Sequence, residues 1–115
     1  MKTSKNILLI IVSLLFTTNI FAQNAEVKIK TSAICGTCKK TIEHDLRFEK
    51  GVKEVSLDLD TKVVTVIYNP KKTDEEKIRI AITKIGYDAD SIPADSAAYS
   101  KLPDCCRKDA PEEHK

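Results

Sequence analysis

The chain has 115 residues, a length that suggests a single domain. Its 19 Lys and Arg residues nearly balance 17 Asp and Glu residues, giving a formal charge of +2. This balance excludes the strongly basic proteins that bind nucleic acid or anionic membranes through charge alone.

The first 22 residues have the layout of a secretory signal peptide. Lys2 and Lys5 precede an apolar run over 7–16, and Ala22 is a small residue at the expected cleavage point. The run is too short for a transmembrane helix, which needs about 20 apolar residues. We therefore expect a protein that is exported, either periplasmic or secreted. Removal of the two lysines lowers the 19 basic residues to 17, equal to the 17 acidic ones.

Three segments of the mature chain alternate apolar and polar residues as strands do. They are 25–33, 52–60 and 62–70, and the short turn at 60–62 joins the last two as a hairpin. A helix is predicted from about Thr37 to Glu49, with Gly51 ending it.

The second half of the predicted domain contains a helix and a short strand. Thr73 and Glu76 have the spacing of a capping box, and apolar residues then recur at helical spacing until Gly86. Residues 87–92 are predicted as an edge strand that Pro93 ends. The order β-α-β-β-α-β predicts an α+β, ferredoxin-like fold, in which two helices cover one face of a four-stranded antiparallel sheet.

The periodic pattern ends after residue 93. We expect a signal peptide at 1–22, one domain at 23–93 and a flexible cysteine-containing tail at 94–115, with one helical turn near 96–101. The tail contains two adjacent cysteines, Cys105 and Cys106.

Cys35 and Cys38 form a C-x-x-C pair between the first strand and the first helix. The positive end of a helix dipole and nearby lysines favour the thiolate, which is the form that binds soft metals. Two sulfurs without other ligands suit Cu(I) or Hg(II), whereas structural zinc requires four ligands. The pair therefore predicts a soft-metal site.

The segment that begins at Cys35 resembles the heavy-metal-associated domain family. This family includes copper chaperones, domains of metal-pumping ATPases and small periplasmic mercury-binding proteins. The shared features are the C-x-x-C pair, Ile42-Glu43, Gly51-Val52, the alternating hairpin, and Gly86-Tyr87. The resemblance implies a carrier that is not an enzyme, binds one ion through its C-x-x-C pair, and hands it to a metal-transporting membrane protein or another acceptor by thiolate exchange.

The sequence departs from the family pattern beside the cysteines. Ser32 and Ala33 occupy the places where the family usually has Gly and Met. Because that Met packs beneath the loop, its absence leaves open which metal is bound, more than whether a metal is bound. Tyr87 is interpreted either as a phenol that shields the thiolates or as a partly buried tyrosine of an edge strand.

Two other interpretations of the C-x-x-C pair stay open. Export favours disulfides, so the pair could form a structural disulfide with no role in metal binding. The letters CGTC also match a thioredoxin-like thiol-disulfide oxidoreductase, although the element order does not.

The tail cysteines are auxiliary candidates. Cys105 and Cys106 could add ligands to the first pair and admit Zn(II) or Cd(II), form disulfides, or have no role. His114 could join them as a ligand, whereas His44 is expected to be a solvated helix residue. We expect a monomer without a nucleic-acid partner, with a metal-linked or disulfide-linked dimer as the alternative.

Overall fold

The computed structural model describes residues 23–107. The predicted signal peptide and His114 lie outside these residues. No helix between residues 23 and 107 is long and apolar enough to cross a membrane.

The sheet has three antiparallel strands in the order β1-β3-β2. They are β1 (Ala25–Lys30), β2 (Val52–Asp58) and β3 (Val63–Tyr68). Val66 on the central strand pairs with Val27 on one side and with Val55 on the other. All three residues are buried, so the alternation seen in the sequence places one face of the sheet in the core.

Two main helices pack on this buried face. They are α1 (Gly36–Leu46) and α2 (Glu75–Ile85), and their buried residues belong to the same hydrophobic cluster as those of the strands. The first helix is shorter than predicted, because residues 47–50 form turns and Phe48 is 78% exposed. Asp74, not Thr73, caps α2 by accepting a hydrogen bond from the amide of Lys77 at 2.8 Å. The α+β fold with two main helices is confirmed.

The predicted fourth strand is not present as a strand in the described residues. Ala89 forms only isolated bridges, one with Thr31 and one with Ile92. Between the bridges Asp90 adopts a φ of 51°, which turns the chain back on itself. Residues 87–92 therefore touch the end of β1 and then leave it, so the sheet has three strands where four were predicted.

The segment that follows residue 93 packs against the domain, although the sequence predicts a flexible tail there. It forms a short helix, α3 (Ser96–Ser100), and a 3₁₀ helix (Asp104–Cys106), and both Leu102 and Cys106 are buried. Leu102 lies over Gly86, where the Cβ atom of any larger residue would approach the Leu102 Cδ2 atom to 3.0 Å. The missing side chain of Gly86 thus provides the space in which the segment docks.

Candidate metal centre

A short loop after β1 sets the position of the first cysteine pair. The Thr31 hydroxyl donates to the carbonyl of Lys62 at 2.8 Å and accepts from the amide of Ala33 at 3.2 Å. The Ser32 hydroxyl accepts from the amide of Asp88 at 2.9 Å. Ala33 is fully buried. These contacts join the loop to the turn before β3 and to the segment after α2, with Ala33 at the place where the family usually has Met.

Cys35 and Cys38 are brought together at the start of α1. Cys35 is the N-cap residue, and its carbonyl accepts a hydrogen bond from the amide of Lys39 at 3.1 Å. The two Sγ atoms are 3.1 Å apart. Cys35 is half-buried, whereas Cys38 is fully buried. The sulfurs point toward each other, as the sequence predicts, but only Cys35 is open to solvent.

The two tail cysteines lie at the same place. The Sγ atom of Cys35 is 3.5 Å from that of Cys105 and 3.4 Å from that of Cys106. The two tail sulfurs are 3.8 Å from each other. All four thiols are free. Residues about 70 positions apart in the chain thus form one sulfur cluster, which we call the thiol cluster (Cys35, Cys38, Cys105 and Cys106).

Tyr87 covers the inner side of the thiol cluster. Its side chain is fully buried, and its hydroxyl lies beside the thiols of Cys38 and Cys106. Within residues 23–107, however, that hydroxyl has no hydrogen-bond partner of normal geometry. Burial raises the pKa of the Tyr87 phenol, and the two neighbouring thiols raise it further. Tyr87 is thus a fully buried, protonated phenol beside sulfur, and not the partly buried tyrosine of an edge strand that was the other interpretation.

The thiols of the cluster ionise unequally. Burial alone would raise the pKa of Cys35, but hydrogen bonds, first from Cys38 and then from Cys106 and Cys105, outweigh it and lower that pKa to about 7. Burial raises the pKa of Cys106, and interaction with Cys38 raises it further. The half-exposed thiol of Cys35 therefore ionises more readily than the thiol of Cys106.

His44 does not contribute to the thiol cluster. Its side chain is 72% exposed and lies 2.8 Å from the Asp45 carboxylate, one residue further along α1. It is a solvated helix residue, as predicted. The docking pair of Leu102 and Gly86 was not predicted, although the apolar Leu102 within a polar tail was a signal for it.

Comparison with known proteins covers the domain that contains Cys35 and Cys38, and the matched family profile ends before Cys105 and Cys106. The heavy-metal-associated domain profile matches residues 24–88. A copper-exporting P-type ATPase of Staphylococcus aureus (strain JH9) is 37% identical over 59 residues, which are 51% of this chain and 7% of the ATPase. The chain thus spans less than a tenth of the length of such curated relatives.

Solved structures share the fold. A CopZ metallochaperone superposes with a TM-score of 0.54 at 27% identity, covering 56% of this chain and 98% of that chain. The N-terminal domain of the zinc(II) ATPase ziaa, in its apo form, has a TM-score of 0.51 at 33% identity, covering 57% of this chain and 63% of that one. Because the family profile covers more than half of this chain, the chain belongs to the heavy-metal-associated domain family.

Proposed function

We propose that this protein is exported and carries one soft metal ion, which it binds through Cys35 and Cys38 and passes to an acceptor. The observation that carries the proposal is the 3.1 Å approach of the two sulfurs at the start of α1. Thiolates at a helix N-terminus gain from the dipole there, and soft ions prefer sulfur to oxygen ligands. Export itself is inferred from the signal-peptide pattern of residues 1–22.

The names of similar proteins favour Cu(I) as the ion. The curated ATPase relative is described as copper-exporting, and the CopZ protein is a metallochaperone. Hg(II) has the same preference for thiolates and low coordination numbers. Zn(II) or Cd(II) would need more sulfurs than this pair supplies, although one structural neighbour is a domain of a zinc(II) ATPase.

The unequal exposure of the two sulfurs supports delivery by thiolate exchange. An incoming acceptor thiol approaches the ion on the side of Cys35, because Cys38 is fully buried. The acceptor thiol releases its proton as it binds, and the cysteine that leaves takes up one proton, so charge and protons balance. We propose a metal-transporting membrane protein, such as a P-type ATPase, as the acceptor. The protein itself acts without catalysis and as a monomer.

A titration of the reduced mature chain with Cu(I), Hg(II) and Zn(II) tests the proposal. We expect one Cu(I) per chain, and loss of that binding in the Cys35→Ser/Cys38→Ser variant. Thr37→Ala is the matched control, because Thr37 is exposed between the two cysteines and offers no soft ligand. Undiminished Cu(I) affinity in the double variant would refute the site.

A second assay separates the carrier from the redox alternatives. A thiol-disulfide oxidoreductase would reduce the disulfides of insulin in the presence of dithiothreitol, and a structural module would hold a disulfide resistant to mild reductant. We expect neither property. Insulin reduction at a rate comparable to that of a thioredoxin would favour the redox function over metal transport.

A further inference from the structure

The sulfurs of Cys35, Cys105 and Cys106 form a nearly equilateral triangle. Its edges are 3.4, 3.5 and 3.8 Å. The same three residues form a group in which all ligand atoms lie within 4.8 Å of one another. The triangle joins two distant parts of the chain, since Cys35 precedes α1 and the other two cysteines belong to the 3₁₀ helix.

The dimensions of this triangle suit an ion with three sulfur ligands. With metal–sulfur bonds of about 2.3 Å, an ion at the centre of a triangle needs edges of about 4.0 Å, and a linear pair needs sulfurs about 4.6 Å apart. The triangle therefore needs to expand by only about 0.2–0.6 Å. Cys35 and Cys38, at 3.1 Å, would have to separate by about 1.5 Å to hold the ion linearly.

The Tyr87 hydroxyl is a second and independent indication of a ligand. It is fully buried beside Cys106 and lacks a hydrogen-bond partner of normal geometry within residues 23–107. A buried donor without an acceptor is costly, and such groups call for an explanation. A metal-bound thiolate is a better acceptor than a neutral thiol, so occupation of the site would satisfy this hydroxyl.

Specific contacts, not chance proximity, hold the tail cysteines in place. The amide of Asp95 donates to the carbonyl of Thr83 at 3.0 Å, and the Asp95 carboxylate accepts from the amide of Ala98 at 2.9 Å. Leu102 then fills the space over Gly86. The 3₁₀ helix that follows contacts α1, and Cys106 is only 1% exposed.

We propose that Cys105 and Cys106 join Cys35 in a three-sulfur site for one soft ion, Cu(I) being the probe of choice. The Tyr87 hydroxyl donates to one of the bound thiolates. The inference rests on the proposed function, since it concerns the same ion. Each thiol that binds loses one proton to water, so no oxidant or reductant takes part.

Cys35 belongs both to this three-sulfur site and to the C-x-x-C pair. An ion held by Cys35 and Cys38 can therefore move into the three-sulfur site while its bond to Cys35 stays intact. Cys38 takes up a proton as it leaves, and the tail thiols each lose one as they bind. An acceptor that removes the ion must then displace the tail sulfurs, so the docked segment retains the ion and slows its release.

X-ray absorption spectroscopy of the Cu(I)-loaded mature chain tests the inference directly. We expect three sulfur ligands in the wild type and two in the Cys105→Ser/Cys106→Ser variant. Cu(I) affinity in competition with bicinchoninate should fall about tenfold in that variant, and transfer to a purified heavy-metal-associated domain of a copper ATPase should accelerate by a similar factor. Thr37→Ala should match the wild type in all three measurements.

The outcomes distinguish this inference from the proposed function. Two sulfur ligands in the wild type, with unchanged affinity after loss of the tail cysteines, would overturn the three-sulfur site and leave the carrier function intact. A wild-type chain that binds no Cu(I) would overturn both. Three ligands found only in a dimer, as measured by size-exclusion chromatography of the loaded protein, would also overturn the site. Cys106 is buried, so its replacement affects folding as well as metal binding. Cys105→Ser is therefore also measured alone, and the wild-type spectrum gives the number of sulfur ligands without any substitution.

Discussion

Replacement of Tyr87 by Phe should have opposite effects on the metal-free and metal-bound protein. In the free protein the Tyr87 hydroxyl is buried without a hydrogen-bond partner of normal geometry among the described residues. A buried polar group in that state costs about 1–3 kcal/mol. Removal of the hydroxyl therefore stabilises the free protein, and the small void that Phe leaves offsets part of that stabilisation. We expect the free energy of unfolding to rise by about 1 kcal/mol. For a domain of this size that corresponds to a melting temperature about 4–8 °C higher.

In the Cu(I)-bound protein the same change removes a donor to a thiolate. Hydrogen bonds to charged groups contribute about 1.5–3 kcal/mol, and about 1.4 kcal/mol is tenfold in affinity. We therefore expect Tyr87→Phe to bind Cu(I) at least about tenfold more weakly than the wild type. The two effects together would show that the hydroxyl is present for the ion and not for the fold.

Thermal unfolding of the reduced apoprotein and competition with bicinchoninate measure the two effects. Tyr68→Phe is the control, because Tyr68 is a buried tyrosine of β3 whose partners, Ala25 and Val52, lie at the end of the sheet away from the thiol cluster. Its Cu(I) affinity should not change. A Tyr87→Phe protein that is less stable than the wild type, or that binds Cu(I) equally well, would refute this reasoning.

Three further changes test how the domain is held together. Asp90→Asn should lower the free energy of unfolding by about 0.5–1 kcal/mol at pH 7, because Asp90 is partly exposed and pairs with Arg79 at 2.9 Å. Burial raises the pKa of Asp90, but the hydrogen bond from Arg79 outweighs it, so the net pKa is lowered. The stability that Asp90 contributes is therefore complete above about pH 4 and is lost as the pH falls further. Urea unfolding at pH 7 and pH 3 should show a smaller difference between wild type and variant at pH 3, and an undiminished difference would contradict the ion pair. Leu102→Ala should cost about 2 kcal/mol in thermal unfolding and speed Cu(I) release, because its side chain docks the tail; unaltered release would argue against retention by that segment. Asp74→Ala should lower the free energy of unfolding by about 1 kcal/mol through loss of the cap on α2. An unchanged free energy of unfolding in urea would indicate that Thr73 is the cap instead.

Elements with a strong local pattern are predictable from the sequence. Alternation of apolar residues predicts all three strands that the structure contains, and helical spacing before Gly86 predicts α2. The capping-box pattern places the cap of α2 one residue too early. Thr73 and Asp74 are adjacent and chemically able to cap. In the folded chain Thr73 is buried, and the Asp74 carboxylate accepts the hydrogen bond from Lys77.

The fourth strand shows where local pattern fails. Residues 87–92 are apolar enough for an edge strand, yet Asp90 makes a turn with positive φ. The amide of Lys30 donates to the Asp90 carboxylate, and the amide of Asp90 donates to the carbonyl of Lys30. These contacts span 60 positions of the chain, and no local window of sequence reveals them.

The same limit applies to the thiol cluster. The spacing of Cys35 and Cys38 predicts that their sulfurs meet, since a helix start brings such residues together. The approach of Cys105 and Cys106 depends on Leu102 docking over Gly86, which is a tertiary contact between an irregular segment and a helix end. Sequence could propose the tail cysteines as ligands but could not place them.

The position of Cys35 at the centre of the thiol cluster has a consequence for chemical damage. Its sulfur is within 3.5 Å of the three others, and it is also half-exposed at the surface. A single alkylating adduct on this atom would disable the C-x-x-C pair and the three-sulfur site together, whereas an adduct on Cys105 would spare the pair. In the proposed sites, one exposed sulfur atom thus governs whether a metal ion can be bound.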